Sequence, residues 1–359
     1  MSHLYGLILA GGRGTRFWPS SRRSRAKQVL SFFGERTLIQ QTVDRLRPLL
    51  PPERIWIMTN HHLRAEIVKQ LPEVPKHQIL AEPAQRNTAP AIGLAAQIIS
   101  QLDPDAVMGV FPADHVIAKP GAFVRLLRPA FKAASEGQIA VIGIQPRWAE
   151  TGYGYIEFGG TVASSNTKPS PLPVLRFREK PDLQTAEQFV AAGNFYWNAG
   201  MFFWKTSVLL ESLRQFQPKT ASLLASLPSL KSRQFAPKLE AIFPMCENIS
   251  IDYAVLERAK NVVGIPAGDI GWSDVGSWNA VYELHKRDAN GNALRSTSIV
   301  EASTGNYVQA DKKLVALLGV KDLIIVDTPD ALLIADRSRA QEVGDLVKRL
   351  EKAGHDHLL

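Results

Sequence analysis

Apolar residues in roughly the first 280 positions fall into short runs that alternate with longer amphipathic stretches. A short apolar run bounded by polar residues is typical of a buried strand, whereas apolar residues repeating every three to four positions indicate a helix. This pattern predicts strands at 5–10, 54–59, 106–111 and 139–144, and helices near 38–46, 63–70, 89–101 and 123–134. Strands that alternate with helices predict βαβ units and a largely parallel sheet covered on both faces.

The pattern changes after Pro146 and again near Ser296. Segments 153–158 and 174–177 resemble antiparallel strands on either side of a turn rich in serine and proline at 164–173. Further on, short strands recur at 298–301, 314–318, 323–326 and 331–334, before a charged helix near 339–352. We therefore predict an α/β domain over residues 1–285 and a small β module with a helical cap over residues 290–359.

Composition is that of a soluble globular protein, with 45% hydrophobic and 21% charged residues. No apolar run approaches the length of a membrane span, and the N-terminal apolar stretch lacks the basic lead-in of a signal peptide. The single cysteine, Cys246, excludes an internal disulfide framework and a cysteine-based zinc site. We expect a cytoplasmic protein without a membrane partner.

The net charge of +8 could indicate a nucleic-acid partner. Outside one loop, however, the basic residues are spread along the chain, and no DNA- or RNA-binding module is recognisable. Small phosphorylated substrates account for such a charge, so no nucleic-acid partner is predicted.

That loop follows the first predicted strand and begins Gly11-Gly12-Arg13-Gly14. Glycines at this point allow a tight turn whose backbone N–H groups approach an anion. It contains six cations within fifteen residues of one another, namely Arg13, Arg16, Arg22, Arg23, Arg25 and Lys27. The alternative is a surface turn followed by a solvated basic loop. So much charge instead indicates a triphosphate that meets a second phosphorylated molecule.

Two familiar glycine motifs do not fit this loop. The dinucleotide-binding fingerprint needs a third glycine where Phe17 stands, and the P-loop needs a Gly-Lys-Ser/Thr sequence that the loop lacks.

Two aspartates stand where a metal ion could meet phosphates. Asp114 follows a predicted strand in Phe-Pro-Ala-Asp-His, and Asp274 lies in Gly-Trp-Ser-Asp-Val-Gly. Mg²⁺ takes few carboxylates and fills its shell with phosphate oxygens and water, so this pair predicts a magnesium site. The alternative for Asp114 is a turn cap. His115 is predicted to be structural, because a hard cation prefers oxygen ligands.

Three further positions have both a structural and a ligand-binding interpretation. Asn198 is a lone amide in an apolar segment, where it either satisfies local backbone or binds a ligand hydroxyl. Asp252, just after the helix N-cap candidate Ser250, is either a first-turn helix charge or a sugar or metal contact. Gly154, in Thr-Gly-Tyr-Gly-Tyr, either permits close approach of a ligand or marks a bulge.

Read in order, the motifs resemble the signature of the sugar-nucleotide pyrophosphorylases, enzymes that join a nucleoside triphosphate to a sugar 1-phosphate. Besides the glycine loop, they are Pro-Ala-Asp-His, Glu-Lys-Pro, Trp-Asn-Ala-Gly-Met-Phe, Ser-Ile-Asp-Tyr and Trp-Ser-Asp-Val-Gly. The motifs are most similar to those of members that use GTP and mannose 1-phosphate. The resemblance implies a Rossmann-like three-layer αβα nucleotidyltransferase domain with a mostly parallel sheet, followed by a small module of the left-handed β-helix type.

The resemblance also implies residue roles, with Mg²⁺ as the cofactor. Arg16 and Lys27 would be catalytic, Arg16 facing the β,γ-phosphates and Lys27 the α-phosphate and the sugar phosphate. The nucleotide would bind at Ala10, Gly11, Gly12, Gly14, Thr15, Arg16, Glu82, Asn87, Thr88 and Asp114. The sugar phosphate would bind at Gly154, Glu179, Lys180, Asn198 and Asp252, and the metal at Asp114 and Asp274.

Choice of base depends on Glu82 in this interpretation. Guanine presents two adjacent donors, N1–H and the N2 amino group, which one carboxylate can accept together, whereas adenine presents an acceptor at N1. Glu82 begins the segment that also contains Arg86, which is placed to approach O6 of the base. The alternative is that Glu82 caps a turn and backbone groups bind the base.

One departure and several alternatives stay open. Ala26 stands where the family usually has proline, so Lys27 is expected to be held less rigidly. The alternative functions are a sister pyrophosphorylase with another base or sugar, a glycosyltransferase with a similar sheet, and a non-catalytic nucleotide-binding regulatory homologue. Assembly is left open, with a homodimer as one candidate. The C-terminal module is predicted to serve stability or subunit contact rather than chemistry.

Overall fold

A mixed sheet of nine strands forms the centre of the computed structural model, which describes residues 3–160 and 169–359. In chain order the strands of this part of the chain are β1 (Leu4–Leu9), β2 (Ile55–Asn60), β3 (Ile79–Glu82), β4 (Val107–Pro112), β5 (Val116–Ile117), β6 (Ile139–Ile144), β7 (Tyr155–Phe158), β8 (Leu172–Arg178), β9 (Phe195–Lys205), β10 (Val262–Ala267) and β11 (Trp272–Ser273). β5 and β11 pair separately as a short antiparallel ribbon. The predicted turn at 164–173 lies outside the described residues as far as position 168.

The order of the strands across the sheet is β3-β2-β1-β4-β9-β6-β10-β8-β7. β3, β2, β1 and β4 pair in parallel, as do β6 and β10, which confirms the predicted βαβ arrangement. The sheet is nevertheless mixed, because β9 runs antiparallel between β4 and β6, and β8 is antiparallel to β10. Nearly every residue of β9 is buried or half-buried, which suits a central position.

Helices cover both faces of the sheet, as predicted. They are α1 (Leu38–Leu46), α2 (His61–Gln70), α3 (Thr88–Leu102), α4 (Pro120–Ser135), α5 (Leu183–Ala192), α6 (Thr206–Phe216), α7 (Pro218–Ala225), α8 (Phe235–Ile242) and α9 (Trp278–Leu284). Neighbouring residues of β1 show the three layers: Ile8 belongs to a hydrophobic cluster with residues of α1, α2 and α4, and Leu7 belongs to a second cluster with residues of α3, α6 and α8. None of the helices described in residues 3–160 and 169–359 is long and apolar enough to cross a membrane.

Short strands form the C-terminal module, and they pair in parallel except for the last, which is antiparallel to the strand before it. They are β12 (Ala293–Arg295), β13 (Ser298–Glu301), β14 (Tyr307–Gln309), β15 (Val315–Leu318), β16 (Leu323–Asp327) and β17 (Leu332–Asp336), followed by helix α10 (Val343–Lys352). β12, β14 and β16 stack in parallel on one side, and β13 and β15 stack on another. This arrangement confirms the predicted β module, whereas the handedness of its coil stays a prediction.

The two predicted domains share a hydrophobic core. Phe17 of the glycine-rich segment packs 5.4 Å, between ring centroids, from Trp278, and Trp278 packs 5.6 Å from Tyr307 of the β module. Ile324 and Val343 complete the same cluster, and all five side chains are buried. The predicted boundary between residues 285 and 290 falls between α9 and β12, but whether the two parts fold as separate units stays a prediction.

Candidate active site

The glycine loop leaves the end of β1 and is anchored there through Ala10. The Ala10 N–H donates to the Met58 carbonyl at 2.8 Å, and its carbonyl accepts from Gln28 Nε2 at 2.7 Å and from Thr59 Oγ1 at 3.0 Å. The sequence predicts Ala10 as a nucleotide contact, but these bonds leave it no free N–H for a phosphate. It positions the glycines that follow.

Gly12 and Gly14 do different work in this loop. Gly12 is exposed, and a Cβ built on it would meet no atom within 4 Å. Gly14 has a φ of 63°, and a Cβ built on it would lie 2.6 Å from Lys27 Cβ and 2.8 Å from Lys27 N. Only glycine fits at position 14, because the loop packs directly on Lys27 there.

The Lys27 side chain is almost fully buried between the two predicted metal ligands. Its Nζ donates to Asp114 Oδ2 at 2.9 Å and to the Asp274 carbonyl at 2.5 Å. Only 6% of Lys27 is exposed. Burial alone would raise the pKa of Asp114, but the Lys27 ammonium, through its charge and its hydrogen bond, holds that pKa below its usual value. Asp114 is therefore held ionised at neutral pH.

Asp114 and Asp274 lie close enough to share Lys27, and their carboxylates are of the type that a divalent cation takes. Lys27 brings the two residues together, and the Tyr153 hydroxyl donates to Asp274 Oδ1 at 2.6 Å, which fixes the carboxylate. In the part of the chain that the structure describes, no group of three or more His, Cys, Asp or Glu residues could hold a metal ion. A site with two carboxylates suits Mg²⁺, which takes most of its ligands from phosphate and water.

Ala26 stands where the family usually has proline, and its backbone already has the conformation that proline would impose. Its φ is −72° and its ψ is 167°. Proline fixes φ near −65°, so the alanine costs the loop no change of conformation. Lys27 is buried and bonded at its ammonium group, and the expectation that it is held less rigidly than in a relative with proline stays a prediction.

The five predicted sugar-phosphate residues lie together in one cluster. A Cβ on Gly154 would collide with the Glu179 carboxylate, and Lys180 Nζ donates to Glu179 Oε1 at 2.9 Å. Asn198 Nδ2 donates to Asp252 Oδ1 at 3.1 Å, and the main-chain N–H of Asn198 donates to the Gly154 carbonyl at 2.8 Å. These contacts bring the five residues into one cluster, while their role as a sugar-phosphate site stays a prediction.

Asn198 satisfies local backbone, which is one of the two interpretations left open by its sequence, and its contact with a ligand hydroxyl stays a prediction. Its amide oxygen accepts from the Gly200 N–H at 3.0 Å, which satisfies local backbone, and its nitrogen holds Asp252. Burial, together with the nearby Glu179 charge, raises the pKa of Asp252 to about 6. The cluster thus combines an acid that titrates near neutrality with a lysine and an amide, a set suited to hydroxyl and phosphate groups.

The predicted base-binding segment contacts the loop and the start of α3. Glu82 lies beside Gly11, since a Cβ on Gly11 would be 3.5 Å from Glu82 Oε1, and burial raises the pKa of Glu82 to about 8. Asn87, at φ 62°, caps α3 by accepting from the Thr88 N–H at 2.9 Å. Thr88 Oγ1 accepts from the Ile251 N–H at 2.9 Å, which leaves its hydroxyl hydrogen free for another partner.

Arg86 does not point where its place in the sequence suggests. Its Nε donates to the Pro244 carbonyl at 2.8 Å, and its Nη2 bonds to the same oxygen. The expectation that Arg86 reaches O6 of a base is therefore not supported by its position, because the guanidinium ties the segment to the turn after α8.

The six loop cations divide into three groups. Three of them pair with carboxylates of the C-terminal module: Arg13 and Arg23 with Glu351, and Arg22 with Asp330. Lys27 is bonded as described above, and within the described residues Arg16 and Arg25 form no ion pair. Only part of the predicted phosphate-binding charge is therefore free for a substrate, with Arg16 the free cation next to the glycines.

Sequence reasoning missed Tyr153 and the strained backbone around the site. In the sequence, the glycines on either side of Tyr153 mark this segment. In the structure, the half-buried Tyr153 phenol needs a hydrogen-bond acceptor and finds one in Asp274. Lys180 and Val275, next to Asp274, have positive φ values of 44° and 47° without being glycine. Such strain clusters at functional sites, but no residue type reveals it in sequence.

His115 is structural, as predicted. Its Nδ1 accepts from the Trp272 indole N–H at 3.2 Å, and burial lowers the pKa of His115 to about 4. The imidazole is neutral at physiological pH, so it packs beside Asp114 without adding a charge.

Comparisons with known proteins agree with this arrangement. The sequence profile of the family described as Nucleotidyl transferase matches residues 5–291, and that of the MannoseP isomerase/GMP-like beta-helix domain matches residues 298–350. An Escherichia coli K12 protein named mannose-1-phosphate guanylyltransferase is 40% identical over 99% of this chain and 75% of its own length. A Klebsiella pneumoniae protein of the same name is 40% identical over 96% of this chain and 74% of its own.

Solved structures show the same fold over nearly the whole chain. A Thermus thermophilus structure described as a mannose-1-phosphate geranyltransferase superposes with a TM-score of 0.85 at 32% identity. The match covers 97% of this chain and 99% of that one, so it includes the C-terminal module.

Proposed function

The chain belongs to the nucleotidyl transferase family, and from that premise we propose how its site works. The reaction is nucleotidyl transfer from GTP to mannose 1-phosphate, which gives GDP-mannose and pyrophosphate. The observation that carries the mechanism is the meeting of the glycine loop, Lys27 and two aspartates at one point, beside a separate polar cluster around Asn198.

The sugar phosphate is already a nucleophile, so the chain needs no general base. One of its oxygens forms a bond to the α-phosphorus of GTP, while the bond from that phosphorus to the bridging oxygen of the β-phosphate breaks in line. Pyrophosphate leaves with the electron pair. Catalysis is then positioning and charge neutralisation, as in phosphoryl transfer generally.

Lys27 is the residue best placed to act on the reacting phosphorus. Its ammonium is buried and is held by two oxygens close to Gly14, so it is already oriented before substrate arrives. Arg16 is exposed and unpaired within the described residues, which suits contact with the β,γ-phosphates. The N–H groups of the loop glycines would add donors to the same phosphates.

Mg²⁺ is the cofactor that we propose for Asp114 and Asp274. When bound, it would neutralise phosphate charge and orient the triphosphate. The chain's own part is to hold the two aspartates together, through Lys27 for Asp114 and through Tyr153 for the Asp274 carboxylate.

Specificity would come from two places. Glu82, beside Gly11, would accept the N1–H and N2 amino donors of guanine once it is ionised. Glu179, Asn198 and Asp252 would hydrogen-bond the sugar hydroxyls, and Lys180 would contact the sugar phosphate.

The alternatives are disfavoured on specific grounds. A non-catalytic homologue has no need for a buried lysine between two aspartates, and all three residues are present and in contact here. The relatives' shared name favours guanine and mannose over another base or sugar. Residence in the cytoplasm and assembly as a homodimer stay proposals, the first of them consistent with a single free, buried cysteine, Cys246.

A matrix of substrates tests the proposal. Each of the four nucleoside triphosphates is incubated with mannose, glucose and galactose 1-phosphates, and pyrophosphate release is measured with and without Mg²⁺. We expect the highest kcat/KM for GTP with mannose 1-phosphate, and no turnover after chelation. Higher kcat/KM for another pair would change the assigned substrates, and nucleotide binding without turnover would favour the regulatory homologue.

A further inference from the structure

Helix α10 packs against the glycine loop. Val343 and Val347 are buried on one side of the helix, and Val343 belongs to the same hydrophobic cluster as Phe17 of the N-terminal domain. Gly344 lies beside the loop, since a Cβ built on it would be 3.6 Å from Thr15 Oγ1 and 3.7 Å from Arg16 Cγ. No side chain of position 344 separates the helix from the backbone that carries Arg16.

Glu351 extends this contact by electrostatics. It follows Val343 and Val347 at intervals of four residues, so it lies on the same face of α10. Its Oε1 accepts from Arg23 Nη2 at 3.0 Å and lies 3.5 Å from Arg13 Nη2. One carboxylate therefore joins an arginine between the loop glycines to an arginine ten residues further along the chain.

Three other contacts fix the same segment from the C-terminal side. Trp18 Nε1 donates to the Leu358 carbonyl at 3.0 Å, and Arg23 Nη1 lies 3.3 Å from Asp356 Oδ1. Arg22 Nη2 donates to Asp330 Oδ1 at 2.9 Å. Residues 13–23 are thus held along their length by the module that the sequence alone predicts to have no part in the chemistry.

A glycine-rich segment needs such restraint. Glycine loses more conformational freedom than any other residue when it is ordered. The Gly12 carbonyl accepts from Gln28 Nε2 at 3.1 Å, but the space beside its Cα is open, so no side-chain packing restrains the loop at that point. A loop that is ordered before its ligand arrives binds that ligand more tightly, because binding then does not have to supply the entropy cost of ordering the loop.

We propose that Glu351 is a positioning residue for the triphosphate: through Arg13 and Arg23 it holds the glycine loop in the conformation that binds GTP. The inference rests on the proposed function, since it names GTP as the ligand of the loop. It makes the C-terminal module a working part of the nucleotide site, although none of its residues touches the reacting atoms.

The test compares Glu351→Gln with the matched control Glu342→Gln. Glu342 belongs to the same module but pairs with Arg339, close to it in sequence. For Glu351→Gln we expect KM for GTP to rise about two- to fivefold, the range of an exposed ion pair, with kcat and KM for mannose 1-phosphate unchanged. The difference should shrink in high salt, which screens the pairs.

Hydrogen–deuterium exchange of residues 13–23, measured without nucleotide, gives a readout independent of turnover. Faster exchange in Glu351→Gln than in the wild type and in Glu342→Gln is expected. Unchanged exchange, an unchanged KM for GTP, or an equal effect in Glu342→Gln would each overturn the inference. If the wild type fails to use GTP while the exchange result holds, the proposed function fails and the loop contact stands for another ligand.

Discussion

Lys27 Nζ donates to Asp114 Oδ2 at 2.9 Å, so the predicted catalytic lysine and a predicted metal ligand form one buried ion pair. Neither group can be considered alone. Removing the lysine leaves a carboxylate without its counter-charge, and removing the carboxylate leaves a buried ammonium with one carbonyl partner at Asp274.

Lys27→Ala should lower kcat by about 10²- to 10³-fold, the usual effect of losing one group that stabilises charge in the transition state. KM for GTP should change little, because the ammonium is needed most as the α-phosphorus becomes five-coordinate. Steady-state kinetics with Lys119→Ala as the control checks this, since Lys119 also pairs with an aspartate, Asp269, but on the surface. A loss of GTP affinity at unchanged kcat would recast Lys27 as a binding residue.

Asp114→Asn and Asp274→Asn should each nearly abolish turnover while the far-UV circular dichroism stays native. Tyr153→Phe should keep turnover but raise the half-saturating Mg²⁺ concentration about tenfold, because it removes the bond that orients the Asp274 carboxylate. Activity titrated against Mg²⁺ measures both effects, and Asp269→Asn is the control. Tyr153→Phe with a wild-type Mg²⁺ requirement would remove the tyrosine from this role.

Glu82 should make GTP binding depend on pH. Its pKa of about 8 means that the free enzyme holds it mostly protonated at pH 7, whereas guanine needs the ionised form. KM for GTP should therefore fall as pH rises towards 8 and level off above it. Glu82→Gln should remove that dependence and narrow the preference for GTP over ATP and inosine triphosphate.

The same shift has a consequence for stability without ligand. The pKa of Glu82 in the folded protein lies above its ordinary value, so protonated Glu82 favours the folded state. Its contribution to the free energy of unfolding is complete below about pH 4.5 and is lost as pH rises towards 8. Thermal unfolding of wild type and Glu82→Gln across this pH range tests whether Tm of the wild type falls more steeply than that of the variant as pH rises. A wild-type pH profile of KM in Glu82→Gln would show that backbone groups bind the base.

Gly14→Ala and Gly12→Ala should fail in different ways. At position 14, the positive φ and the contact with Lys27 should destabilise the fold by about 1–3 kcal/mol and lower kcat. At position 12 a methyl group meets only open space, so Tm should rise slightly, while KM for GTP rises if phosphate approaches the backbone there. Calorimetry and kinetics on the two variants separate fold from binding, and an unchanged KM in Gly12→Ala would place the phosphates elsewhere.

Ala26→Pro should be active and slightly more stable. The φ of −72° already suits proline, which reduces the freedom of the unfolded chain by about 0.4–1 kcal/mol at a compatible site. Chemical denaturation measures the change, with Ala26→Gly expected to move stability in the opposite direction. A destabilised Ala26→Pro would indicate that the ring does not fit in the buried pocket of residue 26.

The sequence is sufficient for the elements whose periodicity is strong and local. The strands around β1, β2, β4 and β6 are predicted within a residue or two, because each is a bounded apolar run. β3, with only four residues, and the antiparallel direction of β9 are not predicted. Direction depends on which strands flank a segment, and no residue within β9 encodes that.

The site shows the same division. Asp114 and Asp274 are singled out because carboxylates after strands suit a metal ion, and Lys27 because of the family resemblance. The structure brings the three residues into contact, while their roles stay predictions. The engagement of Arg23 by Glu351 could not be found, since the two residues are 328 positions apart and a surface pair leaves no composition signal. The position of the Arg86 side chain could not be predicted either, because its partner is a main-chain carbonyl, that of Pro244, and a main-chain group leaves no signal in the residue type.

The core that Phe17, Trp278 and Tyr307 share has a consequence for how such chains can be recombined. Two profiles divide the sequence near residue 295, yet a cut there would open an aromatic cluster on both pieces. A C-terminal module grafted from another protein would have to supply an aromatic side chain that packs on Trp278 as Tyr307 does. The two parts of the chain match separate families, but because they share one aromatic cluster we expect neither to stay intact when the other is removed.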